Sequence, residues 1–189
     1  MQSTWCCGAL ALATIVAAQS PAPLSQLPAV WIDVPFVAQP REGCGAAALS
    51  MVMEYWASQP GGATVAPQVD RDAGHIQQAL YSPHHHGITA SAMRGYLEQH
   101  GFRAFALSGD WNDLEKQLSK GRPLIVALRP EGQHDLHYVV VDGVDTRRGL
   151  VTMNDPAGRK LMSEERAAFE KDWKDTDNWM LLAVPAAAH

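Results

Sequence analysis

Two apolar segments separated by a short polar turn constrain the fold of this chain most strongly. The segment "HYVVVDGV", which begins at His137, is rich in β-branched residues and is typical of a buried strand. A second apolar segment, Leu150–Met153, ends just before Asp155 and Pro156. The intervening "VDTRRG" is a turn sequence, so the two segments are predicted to pair as an antiparallel hairpin. A hairpin returns the end of the second strand to the start of the first, which places Asp155 beside His137.

A cysteine stands where a polar turn gives way to an apolar helix, in "QPREGCGAAALSMVMEYW", residues 39–56. Apolar residues at helical spacing predict a helix that begins near Cys44, because Pro40 and Gly43 interrupt regular structure just before it. Backbone N–H groups in the first turn of a helix stabilise a thiolate, and Gly43 and Gly45 would leave room for a substrate backbone. The alternative is a structural cysteine that packs as a small hydrophobe.

A cysteine nucleophile needs a base, and His137 is the best candidate because a strand would hold it rigidly at the edge of a cleft. A histidine satisfied within the core is the alternative. Asp155 could orient the imidazole and stabilise its cation, although an aspartate before proline is also common in turns. Gln39 lies five residues before Cys44, and its side-chain amide could stabilise an oxyanion together with the backbone N–H of Cys44.

Three consecutive histidines, His84–His86, stand in a loop flanked by proline and glycine. Adjacent histidines converge poorly on one ion, and no Cys, His or Glu set with zinc-like spacing accompanies them. We therefore interpret the run as a polar loop, at the rim of a cleft, rather than as a metal site. No metal and no other cofactor is expected.

The first 18 of the 189 residues contain no Lys, Arg, Asp or Glu and resemble a signal peptide. Its removal would leave Cys44 as the only thiol, because Cys6 and Cys7 precede the cleavage region. We expect export to the periplasm or the extracellular space; a cytoplasmic protein and an N-terminally membrane-anchored one are the alternatives. The same apolar segment could bring the chain transiently to a membrane.

The rest of the chain is expected to form one domain. A Pro-rich extended lead is predicted over residues 19–30, the domain over 31–185 and a tail over 186–189. The patterns predict an α+β fold, with an N-terminal helical half that includes the Cys44 helix and a C-terminal antiparallel sheet. Within the sheet half, "SEERAAFEKDW" is predicted to be a helix capped by Ser163. The formal net charge of -5, without long runs of one sign, argues against nucleic-acid binding.

The ordered set Gln39, Cys44, His137 and Asp155 resembles the papain-like peptidases. More closely, the chain is similar to the bacteriocin-processing cysteine peptidase family, cysteine peptidase family 39. The matching segments, which span most of the chain from about Asp33 to Trp173, are "VPFVAQ", "GCGAAALSMVM", "HGITASAMRGYLEQHGF", "LEKQLSKGRPLIVAL", "HYVVVDGVD" and "MNDPAG".

This resemblance implies a papain-like fold in which the nucleophile helix packs on the antiparallel sheet. It also implies Cys44 as nucleophile, His137 as base, Asp155 as the residue that orients the base, and Gln39 in the oxyanion hole. The best-known members of the family are N-terminal domains of ABC exporters that cut leader peptides after a double glycine. This sequence has no transmembrane bundle and no Walker-type "GxxxxGK[ST]" motif, so it is expected to be a stand-alone member that does not use ATP.

The expected activity is hydrolysis of peptide bonds through an acyl-enzyme on Cys44, with a peptide or protein as substrate. A transpeptidase or an amidase would use the same residues. A non-catalytic peptide-binding module is a third possibility, although it would not need the complete set of four.

Overall fold

The computed structural model describes residues 29–60, 69–132 and 134–186. The predicted signal peptide, residues 19–28 of the predicted lead, and residues 187–189 of the tail lie outside the described residues. Among the helices of the described ranges, none combines the length and the apolar character needed to cross a membrane.

Within these ranges the chain forms seven strands, five α-helices and one short 3-10 helix at Pro83–His85. In chain order the elements are β1 (Ala29–Trp31), α1 (Cys44–Ser58), α2 (Ala73–Leu80), α3 (Ala90–Gln99), β2 (Phe102–Ser108), α4 (Trp111–Leu118), β3 (Leu124–Leu128), β4 (His137–Asp145), β5 (Leu150–Asn154), β6 (Met162–Glu165), α5 (Arg166–Lys174) and β7 (Trp179–Pro185).

All the strand pairs are antiparallel, and the strand order is β2-β7-β3-β4-β5-β6, with β1 paired to β4. The predicted hairpin is present as β4 and β5, with Val140 opposite Asn154 and Asp145 opposite Leu150. A change of register between Val141 and Gly143 interrupts the ladder. The α+β fold, with its helical N-terminal half and antiparallel sheet, is the one that the sequence predicts.

Helix α1 is the element that joins the two halves. It contacts the sheet through β4 and the helical half through α2 and α3. Its side chains Leu49, Met51 and Met53 are fully buried. Burial of a side chain of this size stabilises a fold by about 1.5–3 kcal/mol relative to its exposure, so the cysteine at the start of α1 stands on a firmly anchored element.

The two glycines beside Cys44 serve packing and not substrate access. A Cβ atom on Gly45 would lie 3.3 Å from the Cβ of Ile88 and 3.5 Å from the Tyr138 ring. A Cβ atom on Gly43 would lie 2.5 Å from the Pro40 ring. The expectation that these glycines leave room for a substrate is therefore wrong, because the protein itself occupies the space.

The predicted cap of the last helix is also wrong. Ser163 lies within β6, opposite Thr152 of β5, and α5 begins only at Arg166. Side chains along β6 alternate between half-buried and exposed, as expected for an edge strand with one face on the protein. At the other end of the domain, Ala29 and Val30, the last residues of the predicted lead, pair with β4 as part of β1.

Asp142 is a charged residue in the core, beside the register change in β4. Its side chain is 0% exposed, and neither carboxylate oxygen has a hydrogen-bond partner among the described residues. Burial raises the pKa of Asp142 to about 7; Lys160 lowers it and Asp33 raises it. These two neighbours form an ion pair with each other at 2.7 Å, so Asp142 lacks a cation of its own in this arrangement.

We predict that Asp142→Asn removes a pH dependence of stability. The folded-state pKa of Asp142 lies above the unfolded value, so its ionisation favours unfolding as pH rises from about 4 to about 7. Over that window the free energy of unfolding of the wild type should fall relative to that of the variant by on the order of 2–4 kcal/mol. Urea unfolding at pH 4.5, 6 and 7.5 measures this difference. Parallel pH profiles for the two proteins would contradict the prediction.

Candidate active site

Cys44 is the first residue of α1, as the sequence predicts. The preceding turn is closed by a hydrogen bond from the Gly43 N–H to the Pro40 carbonyl oxygen, at 2.9 Å. Gly43 is the N-cap and provides no side chain, so no side-chain cap occupies the helix N-terminus. The Cys44 side chain is partly exposed, is not part of a disulfide, and has its Sγ 4.0 Å from the Leu136 carbonyl oxygen.

His137 and Asp155 form the hydrogen bond that the hairpin prediction requires. The His137 Nε2 atom lies 2.7 Å from the Asp155 Oδ1 atom. The two side chains are 19% and 17% exposed, so the pair is largely shielded from water. Because Nε2 bonds the carboxylate, the Nδ1 atom of the imidazole remains for a second partner. Cys44 also acts on this imidazole, since it is one of the groups that raise the pKa of His137.

These contacts favour the charged form of the histidine. Burial lowers the pKa of His137, but hydrogen bonds to Asp155 and Cys44, together with the charges of both groups, outweigh burial and raise it to about 9. Burial likewise opposes ionisation of Asp155, yet the hydrogen bond and charge of His137 and nearby backbone N–H groups lower its pKa. The arrangement therefore favours an imidazolium beside Asp155 and Cys44 at neutral pH.

Asn154 fixes the segment that carries Asp155. Its side chain is fully buried; Nδ2 donates to the Val34 carbonyl oxygen at 3.1 Å, and Oδ1 accepts from the Leu161 N–H at 3.0 Å. The Ala157 N–H donates to Asp155 Oδ1 at 2.9 Å and completes the support of the carboxylate. Sequence reasoning missed Asn154, although a polar residue at the end of an apolar strand was a usable signal.

The structure brings Gln39 to the same side of the molecule through its backbone. The Gln39 N–H donates to the Pro156 carbonyl oxygen at 2.9 Å, next to Asp155 in the chain. The Gln39 side-chain oxygen is buried and has no hydrogen-bond partner in the part of the chain that the structure describes. The four residues selected from the sequence therefore belong to one region, although a role of Gln39 in an oxyanion hole stays a prediction.

A cavity of about 310 Å³ opens beside Cys44. One wall is the histidine loop, which fits the interpretation of that loop as the rim of a cleft. Across the described ranges, no group of three or more His, Cys, Asp or Glu residues is arranged to hold a metal ion. The residues that line the cavity with Cys44 include His85, His86, Thr89, His134, Leu136 and Tyr138.

A helix with an N-terminal cysteine, packed on an antiparallel sheet that carries a histidine and an aspartate, defines a papain-like peptidase fold. The family model of the Peptidase_C39 like family matches residues 31–179, and the chain belongs to that family. This confirms the resemblance to the bacteriocin-processing peptidases. No curated protein matches the chain.

Two solved structures illustrate the similarity. The peptidase domain of Streptococcus ComA, a bi-functional ABC transporter involved in a quorum sensing pathway, is 19% identical with a TM-score of 0.63; the match covers 81% of this chain and 99% of that one. A double glycine motif protease from an AMS/PCAT transporter, in complex with the leader peptide, is 20% identical with a TM-score of 0.54; the match covers 83% of this chain and 95% of that one. At these identities the similarity establishes the fold alone.

We predict that His137→Ala slows alkylation of Cys44 by iodoacetamide at pH 6 by at least about tenfold, because the imidazolium that stabilises the reactive thiolate is lost. Mass spectrometry of the Cys44 peptide measures the rate. Asp155→Asn should slow it less, because the imidazole remains. His100→Ala is the control: this histidine bonds the Tyr96 carbonyl oxygen, does not line the cavity, and should leave the rate unchanged. Equal rates in the wild type and His137→Ala would contradict the prediction.

Proposed function

We propose that the protein is a cysteine peptidase that hydrolyses peptide bonds through an acyl-enzyme on Cys44. The observation that carries the proposal is the buried His137–Asp155 hydrogen bond of 2.7 Å beside the partly exposed Cys44. A nucleophile, a base within hydrogen-bonding reach and a third group that orients the base are the parts that acyl transfer requires.

In the acylation step, the Cys44 thiolate adds to the carbonyl carbon of the substrate. The resulting oxyanion accepts hydrogen bonds from the Cys44 backbone N–H and the Gln39 side-chain amide. The His137 imidazolium gives its proton to the leaving amine, the C–N bond breaks, and a thioester remains on Cys44. Asp155 keeps the imidazole oriented and stabilises its cation before the transfer.

In the second step, His137 is neutral and takes a proton from a water molecule. The hydroxide adds to the thioester and the C–S bond breaks, which restores Cys44 as a thiolate; the product leaves as a carboxylic acid and gives its proton to the solvent. The imidazolium is restored at the same time, so the cycle closes without a cofactor. An acceptor amine in place of water would make the same site a transpeptidase.

A peptide or protein is the proposed substrate. The cavity beside Cys44 is open to solvent along the histidine loop and is lined by the short side chains of Thr89 and Ala90 as well as by imidazoles. The related double glycine motif protease binds a leader peptide, which supports a peptide in this cleft. We also propose that the protein acts after export, on the basis of its uncharged N-terminal segment.

We predict that the wild type generates new peptide termini in a mixture of casein-derived peptides and that Cys44→Ala generates none. His137→Ala should lower the rate of cleavage by roughly 10³-fold or more, because the thioester cannot form without a proton donor for the leaving amine. Liquid chromatography with mass spectrometry identifies the termini under reducing conditions.

Two further observations complete that experiment. Added hydroxylamine should divert part of the product to hydroxamates, since it captures a thioester intermediate. The peptidase proposal would be contradicted if Cys44 of the wild type is alkylated at the expected rate but the protein cleaves nothing, with or without the added nucleophile. Products that carry only an acceptor amine would identify a transpeptidase instead.

A further inference from the structure

The turn that leads to Cys44 contains a backbone conformation that side-chain-bearing residues rarely adopt. Glu42, two residues before the cysteine, has a φ of 54°, in the left-handed region that favours glycine. A non-glycine residue in this region is strained and persists only when its surroundings hold it there. Such strain is concentrated at functional sites, and here it lies next to the proposed nucleophile.

Helix α2 and the residue that follows it hold this turn from outside. The Tyr81 hydroxyl donates a hydrogen bond to the Glu42 carboxylate, and this bond raises the pKa of Tyr81. The Gln77 Nε2 atom lies 3.4 Å from the Arg41 carbonyl oxygen and 3.3 Å from that of Glu42. The Gln77 side chain therefore bonds the main chain of the strained turn, and the Tyr81 side chain bonds the side chain of Glu42.

Tyr81 also directly precedes the loop that lines the cavity. The next residue, Ser82, pairs with Gly87: the Ser82 N–H donates to the Gly87 carbonyl oxygen at 2.9 Å. This bridge closes the loop that carries His85 and His86 into the cavity beside Cys44. Tyr81 therefore bonds the turn before the nucleophile and is the residue next to the Ser82–Gly87 bridge of the histidine loop.

We propose that Tyr81 and Gln77 are positioning residues for the oxyanion hole. They hold the turn at Glu42 so that the Cys44 N–H and the Gln39 amide point to the place where the oxyanion develops. The turn is also fixed from within, because the Gln39 N–H bonds the Pro156 carbonyl oxygen. This inference rests on the proposed peptidase function.

The geometry separates this role from that of the Cys–His pair. The turn contacts α2, whereas the imidazole is held by β4 and by Asp155 at the end of β5. Loss of the Tyr81 hydroxyl should therefore weaken stabilisation of the oxyanion and leave the reactivity of the thiolate intact. A role in overall stability alone would not separate these two properties.

Two reagents distinguish stabilisation of the oxyanion from reactivity of the thiolate in the full-length protein. Acylation by p-nitrophenyl acetate forms an acetyl thioester on Cys44 and releases p-nitrophenolate through an oxyanion intermediate. The acylation rate is the rate of p-nitrophenolate release minus the rate that Cys44→Ala shows. Alkylation by iodoacetamide displaces iodide without such an intermediate, and mass spectrometry of the Cys44 peptide measures it. The ratio of the two rates reports the oxyanion hole independently of the thiolate.

We expect Tyr81→Phe to lower the acylation rate at least fivefold while the alkylation rate changes less than twofold. Gln77→Ala and Glu42→Gln should lower the ratio in the same direction, and they replace Tyr81→Phe if that variant does not fold. The matched control is Tyr55→Phe. Tyr55 lies in the later part of α1, and the variant loses the 2.7 Å hydrogen bond from its hydroxyl to the Gly121 carbonyl oxygen. Its ratio should equal that of the wild type.

A ratio within twofold of wild type in the folded Tyr81→Phe variant would overturn the inference, and so would an equal loss with both reagents. A wild type that alkylates rapidly but shows no more acylation than Tyr81→Phe would overturn it as well. Failure of the peptidase proposal has different signatures: slow alkylation of wild-type Cys44 at pH 6 that His137→Ala does not change, or the absence of peptide cleavage by a wild type that does acylate faster than Tyr81→Phe.

Discussion

The hydrogen bond between His137 and Asp155 is the interaction on which the rest of the site depends. It joins the first residue of one strand to the residue just after the next strand, so it exists only because β4 and β5 pair in this register. A shift of one residue would turn one side chain to the opposite face of the sheet. The buried Asn154 side chain bonds the main chain of Val34 and of Leu161, and so holds the end of β5 that carries Asp155.

The second requirement is a helix that delivers Cys44 to this pair. The apolar face of α1 meets the sheet at β4, and Gly45 allows the close approach beside Tyr138. This arrangement includes two unfavourable features close to Cys44: the left-handed backbone of Glu42 and a helix N-terminus without a side-chain cap. An uncapped N-terminus leaves backbone N–H groups free to bond an anion, which is useful beside a thiolate or an oxyanion.

Much of this could be predicted from the sequence, because the relevant signals are local. β-branched runs around a turn define the hairpin, and a proline and glycine turn before an apolar run defines the start of α1. The capping box at Asp110 and Asp113 is a further local signal, because both residues lie at the start of α4. The predicted cap Ser163 failed because residues 162–165 pair with the preceding strand β5, and the helix-like composition of this segment conceals that pairing.

Other features of the site depend on long-range packing and have no local signal. The left-handed Glu42 is held by side chains from α2 and from the residue after it, 35 and 39 residues further along the chain. Asp142 is buried together with its neighbours on both sides in β4. The role of the glycines beside Cys44 follows from what packs against them. Sequence reasoning identified the chemical groups at the site, whereas their support becomes visible only in the folded chain.

The most direct test of the account is an NMR titration of the His137 imidazole in the wild type and in Cys44→Ala, with His137→Gln to assign the resonance. The account predicts an apparent pKa of about 9 in the wild type and a lower pKa in Cys44→Ala, because Cys44 is one of the groups that raise it. A midpoint near the ordinary histidine value of about 6.5 in both proteins would show that no charged Cys–His pair forms.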